Sequence, residues 1–230
     1  MKKNDFYEPL KLGLVLGTIA LVIAALLAFV NNITKDKIMS ANQQIIQNGL
    51  HEVLSDADSF IPMTGADLKN SYNIEVKNVY LALDKNGHVI GYCATAFPKG
   101  YGGKIETIVG MNMDGVITGA KVTSNMSETV GLGAEVQNSK KFTYQYKDKK
   151  APFLLKQDGG DIDAITSATI TSRAVTKGVN AAAEVLAKNS IYGTYAQDGE
   201  IINGKYVIPD QEKKKQENSD NAAKEGHPHE

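Results

Sequence analysis

Ile74-Glu-Val-Lys-Asn-Val-Tyr-Leu-Ala-Leu83 and His88-Val-Ile-Gly-Tyr-Cys93 flank the tetrapeptide Asp84-Lys-Asn86-Gly87. Both runs are rich in β-branched and aromatic residues, and Asn-Gly between two such runs is a strong hairpin signal. The pattern recurs at once, with Lys104–Met113 and Val116–Thr123 flanking Asp114-Gly115. Helical patterns lie on either side of these strands. Before them, Ile38, Ile45, Leu50, Val53 and Leu54 recur at loosely helical spacing and predict a helix ending near Ser55-Asp56. After them, Val175, Val179, Ala182 and Leu186 fall at offsets of four, seven and eleven from the first, the spacing of one helix face. Antiparallel strands with helices at either end predict an α+β fold rather than a doubly wound sheet.

The chain has 230 residues, 42% of them hydrophobic, and a formal net charge of -1. Leu12 to Val30 contains no charged residue. As a helix that run would extend roughly 28 Å, against a hydrocarbon core of roughly 30 Å. It exceeds the usual apolar region of a cleavable signal peptide, and Ala28-Phe29-Val30 ends it poorly for cleavage, so a retained anchor is expected. Lys2, Lys3 and Lys11 precede it and Lys35 and Lys37 follow, a slight charge bias. Removing this segment and a polar tail leaves roughly 180 residues, enough for one domain with its own core.

Several function classes lose support. The near-neutral charge and the lack of a basic stripe interleaved with aromatics speak against nucleic-acid binding. Cys93 is the only cysteine, so no intramolecular disulfide or multi-thiolate metal site can form, and a buried structural thiol is expected. Gly131-x-Gly133 lacks the third glycine of a dinucleotide fingerprint, since position 136 is Val. His51 and Glu52 are adjacent, a poor arrangement for a relay on a helix, and His88 has no partner in view. Asn203-Gly204 between two short apolar runs predicts a small β-like addition closed by Pro209. From Asp210 onward a polar tail, expected to be disordered, carries His227 and His229.

The hydroxyl cluster Asp163-Ala-Ile-Thr166-Ser167-Ala168-Thr169-Ile-Thr171-Ser172 immediately precedes the helix of Val175 to Leu186. Thr171 or Ser172 is the expected N-cap, its hydroxyl accepting from the first-turn amides. A helix N-terminus also suits a phosphate, through its unpaired N–H groups and partial positive charge. Local physics permits a phosphate here without demanding one. A protease-type role for Thr169 is excluded, because such a threonine needs a free N-terminal amine.

Taken with Gly100-Tyr101-Gly102-Gly103-Lys104-Ile105 and Ser127-Glu128-Thr129-Val130-Gly131-Leu132-Gly133, the cluster resembles the FMN-binding domain family. More narrowly, it is similar to the G subunits of Rnf electron-transport complexes and to their relatives, the C subunits of sodium-translocating NADH:quinone reductase. The family's attachment pattern is Asp, two variable positions, Ser or Thr, usually Gly, then Ala-Thr. Asp163, Thr166, Ala168 and Thr169 match it; Ser167 stands where Gly is usual, and Val130 where Pro is usual in the second motif.

The resemblance implies FMN joined to Thr169 by a phosphoester, with Asp163 recognised by an FMN transferase. It also implies that the Glu128 loop lies against the flavin. Thr129 and the amides around Gly131 to Gly133 would then hydrogen-bond the ring and Leu132 would pack on it. Glu128 would disfavour the anionic reduced flavin and so lower its potential. The implied organisation is a cytoplasmic stretch 1–11, a transmembrane helix 12–30, an extracytoplasmic FMN-binding domain 31–209 and a tail 210–230, in a bacterial plasma membrane. The implied role is electron relay among membrane subunits of an ion-translocating ferredoxin:NAD oxidoreductase. A C subunit of the quinone reductase, a stand-alone flavin carrier and a flavin-free anchored scaffold are the rival readings.

Overall fold

The computed structural model describes residues 7–124, 128–191, 200–202 and 205–207. The chain divides into two compact units, Met1–Ile45 and Ile46–Glu230. The described part of the first unit is helical, within α1 (Tyr7–Val53). Its apolar stretch is long and apolar enough to cross a membrane. Leu14, Leu16, Leu21, Leu26 and Phe29 all stand exposed on it. The Thr18 hydroxyl donates to the Leu14 carbonyl at 3.0 Å, so the helix satisfies its own polar side chain, as lipid surroundings require.

The second unit holds the last turns of α1 and a five-stranded antiparallel meander in chain order. Its strands are β1 (Ser59–Pro62), β2 (Glu75–Leu83), β3 (Val89–Phe97), β4 (Glu106–Asn112) and β5 (Ile117–Ser124). The architecture is α+β, and both expected hairpins are present. The two hairpin turns are built alike. Asp84 Oδ1 accepts from the amides of Asn86 and His88, each at 2.8 Å, and Asn112 Oδ1 accepts from Asp114 and Val116 at 3.0 and 2.9 Å. The His88 amide chiefly holds the Asp84 carboxyl below its ordinary range. His88 also has a partner the sequence did not reveal, its Nδ1 lying 3.4 Å from Asp84 Oδ2. His51 packs edge-on against Phe60, and Glu52 pairs with Lys121 at 3.0 Å, so the two do not work together.

Period-two alternation divides the sheet into two apolar faces. Ala82, Cys93 and Ile108 point to the face covered by Leu50, Val53 and Leu54 at the end of α1. Leu81, Ala94, Ala96, Val109 and Met111 point to the other, packed with Val175, Val179, Ala182 and Leu186. These last four belong to the long helix α4 (Thr169–Ile191), which follows two short helices, α2 (Glu135–Asn138) and α3 (Lys140–Thr143). Cys93 is fully buried, and burial pushes its thiol well above the ordinary range. A small hairpin of β6 (Glu200–Ile202) and β7 (Lys205–Val207) follows α4. Its connecting residues 203–204 and the tail from 208, with His227 and His229, lie outside the described residues.

The α1 end is seated by missing side chains. Cys93, Gly110 and Gly119 are cross-strand neighbours in one row. A Cβ on Gly119 would stand 2.9 Å from Val53 Cα and 3.0 Å from its carbonyl oxygen. That carbonyl, at the open end of the helix, accepts the Thr118 hydroxyl at 2.6 Å. Gly119→Ala is therefore expected to lower unfolding stability by about 1–3 kcal/mol, the usual cost of overpacking. Urea denaturation of the detergent-solubilised chain measures it, and an unchanged midpoint would show that the helix end yields freely.

Candidate functional site

The site lies at the N-terminus of α4 and is set up by one turn. The Ala168 amide donates to the Ile165 carbonyl at 3.0 Å, and between them Ser167 adopts φ 62°. Glycine reaches this left-handed conformation freely, whereas another residue pays roughly 1–2 kcal/mol. The ordinary preference for Gly at this position thus has a visible cause. Helix α4 then opens at Thr169, with Ala168 before it and the Ser172 amide returning to the Ala168 carbonyl at 2.9 Å.

The expected N-cap is absent. Thr171 and Ser172 lie inside the first turn, and their hydroxyls are used elsewhere. Ser172 Oγ accepts the Ile165 amide at 3.0 Å, which holds the turn against the helix. Thr171 Oγ1 donates to Glu128 Oε2 at 2.7 Å. Since Ala168 offers no side-chain acceptor, the amides of Thr169, Ile170 and Thr171 have no partner among the described residues. Three donors and the positive end of the helix dipole, roughly half an elementary charge, are left open at one point.

A cavity of about 520 Å³ sits over these donors. The loop after β5 supplies Glu128, Thr129, Leu132 and Gly133; the α4 turn supplies Ser167, Ala168, Thr169, Ile170 and Thr171; Tyr101 comes from the loop after β3. Thr166, Gly131 and Asp163 do not line it. Thr166 is exposed on the turn, and Gly131 takes φ 76° at the loop tip. Asp163 is exposed and pairs with Lys156 at 2.8 Å, while Gln145 grips its backbone amide and carbonyl. The Leu132 amide is turned to the Thr129 carbonyl at 3.2 Å, so it is not a donor toward the cavity. Sequence reasoning gave no site role to Tyr101 or Ile170, and it took Thr171 only as a cap. An aromatic within Gly100-Tyr101-Gly102-Gly103 was the available signal for Tyr101.

Glu128 is the most constrained group here. It is 7% exposed, and its Oε1 accepts the Gly102 amide at 2.9 Å while Oε2 takes Thr171. A Cβ on Gly100 or on Gly133 would collide with this carboxylate. The rim of the cavity is apolar, with Tyr101, Leu132 and Ile170 all exposed.

A flavin phosphate fits these residues. The open α4 amides suit its oxygens, the volume lies within the usual range for ligand pockets, and Tyr101, Leu132 and Ile170 offer apolar contact for a ring. The connector to α4 is firmly held. Asn180 exchanges two hydrogen bonds of 2.8 Å with the Phe153 backbone, and Arg173 grips Asp158 through two nitrogens at 2.7 and 2.8 Å. The guanidinium holds the Asp158 carboxyl below its ordinary range.

The FMN-binding domain profile matches residues 100–184, and a profile for the N-terminal region of RnfG matches residues 8–53. The chain is 34% identical over 194 residues to the G subunit of the Na(+)-translocating ferredoxin:NAD(+) oxidoreductase complex of Acetobacterium woodii, covering 79% of this chain and 93% of that one. It is 40% identical over 152 residues to the corresponding G subunit in the proton-translocating complex of Clostridium ljungdahlii, covering 64% and 75%. Among solved structures, the C subunit of the Na(+)-translocating NADH-quinone reductase of Parabacteroides distasonis is 24% identical, with a TM-score of 0.40 over 49% of this chain and 62% of that one.

Ser167→Gly should stabilise the chain by about 0.5–1 kcal/mol, since relief of the left-handed strain exceeds the entropy added to the unfolded state. Ser167→Val should destabilise it by about 1–2 kcal/mol. Denaturation midpoints of the three proteins should fall in that order, and any other order would mean that the turn is not held at positive φ.

Proposed function

This chain belongs to the family of G subunits of ion-translocating oxidoreductase complexes, and from that premise we propose that it carries FMN covalently on Thr169. It is a membrane-associated electron-transfer subunit, and other subunits of the complex are its partners. Bound FMN supplies the redox chemistry; the chain supplies placement and surroundings. The relatives' naming as G subunits favours this reading over a C subunit of the quinone reductase.

One observation carries the choice of Thr169. Of the hydroxyls between 166 and 172, Thr171 is spent on Glu128 and Ser172 on Ile165, while Thr166 stands outside the cavity. Thr169 lines the cavity at the first residue of α4, beside the open amides, and its hydroxyl has no partner among the described residues. Ser167 also lines the cavity, but from the left-handed turn ahead of the helix.

Charge supports a covalent link. Among the described residues no Lys or Arg lines the cavity, and one wall is the Glu128 carboxylate. A phosphate monoester carries close to two negative charges near neutral pH, which such a site opposes. A diester to Thr169 Oγ1 carries one, and the α4 N-terminus can match it. Joining the two loses the elements of water relative to free FMN, so an FMN transferase forms the Oγ1–P bond from a phosphoanhydride-type flavin donor, whose P–O bond breaks to release its phosphate leaving group as the Thr169 hydroxyl gives up its proton. Asp163, exposed and close ahead of Thr169, serves its recognition. The N-terminal residues 1–11 are cytoplasmic, residues 12–30 cross the plasma membrane, and the 31–209 domain faces outward.

Intact mass after coexpression with an FMN transferase tests the assignment. The wild-type chain should gain one FMN less water, Thr169→Ala should gain nothing, and Asp163→Ala should keep its fold while loading poorly. An unmodified wild type under conditions that load a related flavin carrier, or an adduct that persists in Thr169→Ala, would overturn it.

A further inference from the structure

Glu128 joins three segments far apart in sequence. Its carboxylate takes the Gly102 amide on one oxygen and the Thr171 hydroxyl on the other. Each segment so joined also walls the cavity: Tyr101 beside Gly102, Thr129 and Leu132 beyond Glu128 itself, and Thr169 in the turn that contains Thr171. The carboxylate can enter only because Gly100 and Gly133 have no Cβ. An ionised carboxylate is acceptor-only, and here each oxygen meets a donor. No Lys or Arg pairs with it among the described residues. Such charge-assisted bonds are stronger than neutral ones, and losing either partner leaves a buried polar group unsatisfied.

We propose that Glu128 is the positioning residue of the flavin cavity. Resting on the covalent-FMN reading above, its role is to clasp the Tyr101 loop to the first turn of α4, so that the cavity walls close on the flavin carried by Thr169. Because the clasp is itself an anion in the wall, it also opposes negative charge added to that flavin. In surroundings less polarisable than water this repulsion is weakly screened. One residue thus governs both how exposed the flavin is and how readily it accepts electrons.

Two variants separate these effects. Glu128→Gln keeps the shape and an acceptor but removes the charge. Thr171→Val removes the donor on one side of the clasp and keeps the charge, and Thr171→Ser restores the donor. All are made in the full chain, coexpressed with an FMN transferase, and read by intact mass, iodide quenching of flavin fluorescence, midpoint potential and thermal unfolding of the unloaded chain. All three should load, since Thr169 is intact. Glu128→Gln should shift the potential upward with quenching near wild type. Thr171→Val should raise the quenching constant and lower the unfolding temperature of the unloaded chain, and Thr171→Ser should match wild type.

Wild-type quenching and potential in both Glu128→Gln and Thr171→Val would overturn the proposal, even with a lowered unfolding temperature, because the clasp would then be structural alone. If Glu128→Gln does not fold, the Thr171 pair decides: Val and Ser alike in quenching would overturn it. An unloaded wild type would instead sink the Thr169 assignment, a result distinguishable by mass alone.

Discussion

The site depends on where α4 rests on the sheet. Val175, Val179 and Leu186 are fully buried against the face that carries Ala94, Ala96 and Val109, and the two alanines on β3 let the helix come close. Further along the same approach, a Cβ on Gly178 would stand 2.7 Å from Pro98 Cγ. Burying each large aliphatic side chain contributes about 1.5–3 kcal/mol, so sliding the helix by one turn would sacrifice several such contacts together. With Val175 fixed, Thr169 lies less than two turns away and is fixed with it. Tyr146 bonded to Thr176 at 2.8 Å, Asn180 on the Phe153 backbone and Arg173 on Asp158 then bring the long connector back to the same helix. The first turn of α4 is consequently a rigid platform in a region otherwise made of loops.

Strands paired through short turns were legible because their signals are local. Alternating residues and Asn-Gly or Asp-Gly define both central hairpins without any tertiary knowledge. Strand β1, Ser-Phe-Ile-Pro, carries no such signal, and only its pairing with Leu81–Leu83 and Tyr80 on β2 makes it a strand. The same distinction explains the misread cap. A hydroxyl just ahead of an apolar period ordinarily caps its own helix, but Thr171 and Ser172 find Glu128 and the Ile165 amide instead. Glu128 was legible as a loop carboxylate, yet nothing in the sequence shows that Gly102 and Thr171 would hold it. The site was readable where a motif is contiguous and obscure where three segments meet.

The electrostatics of the cavity invert the usual phosphate site. Phosphate sites commonly combine backbone amides with a Lys or Arg. Here, among the described residues, the amides remain and a carboxylate stands where a cation is common. A reversible ligand with a doubly charged phosphate would find this costly, whereas a tethered one needs little intrinsic affinity, its local concentration being set by the bond. On the proposed reading, the same lack of Lys or Arg among the described lining residues would leave an added electron on the ring without a compensating cation. On that reading, weak attraction for the phosphate and resistance to reduction would share one structural origin.

The two departures from the family pattern fall where the fold can absorb them. Ser167 carries left-handed strain, but the turn around it is overdetermined: Ile165 gives its carbonyl to Ala168 and its amide to Ser172. Strain of about 1–2 kcal/mol persists when neighbouring bonds leave no relaxed alternative, and this strain lies two residues from the proposed attachment point. Val130 is 90% exposed, so a proline there would contribute stiffness rather than packing. That stiffness has another source, since the Thr129 carbonyl accepts from both Leu132 and Ala134, at 3.2 and 3.1 Å. Backbone bonds that close the loop on itself do the work of a fixed φ, which is why the Glu128 side chain can be held from one end of a segment that lacks its usual proline.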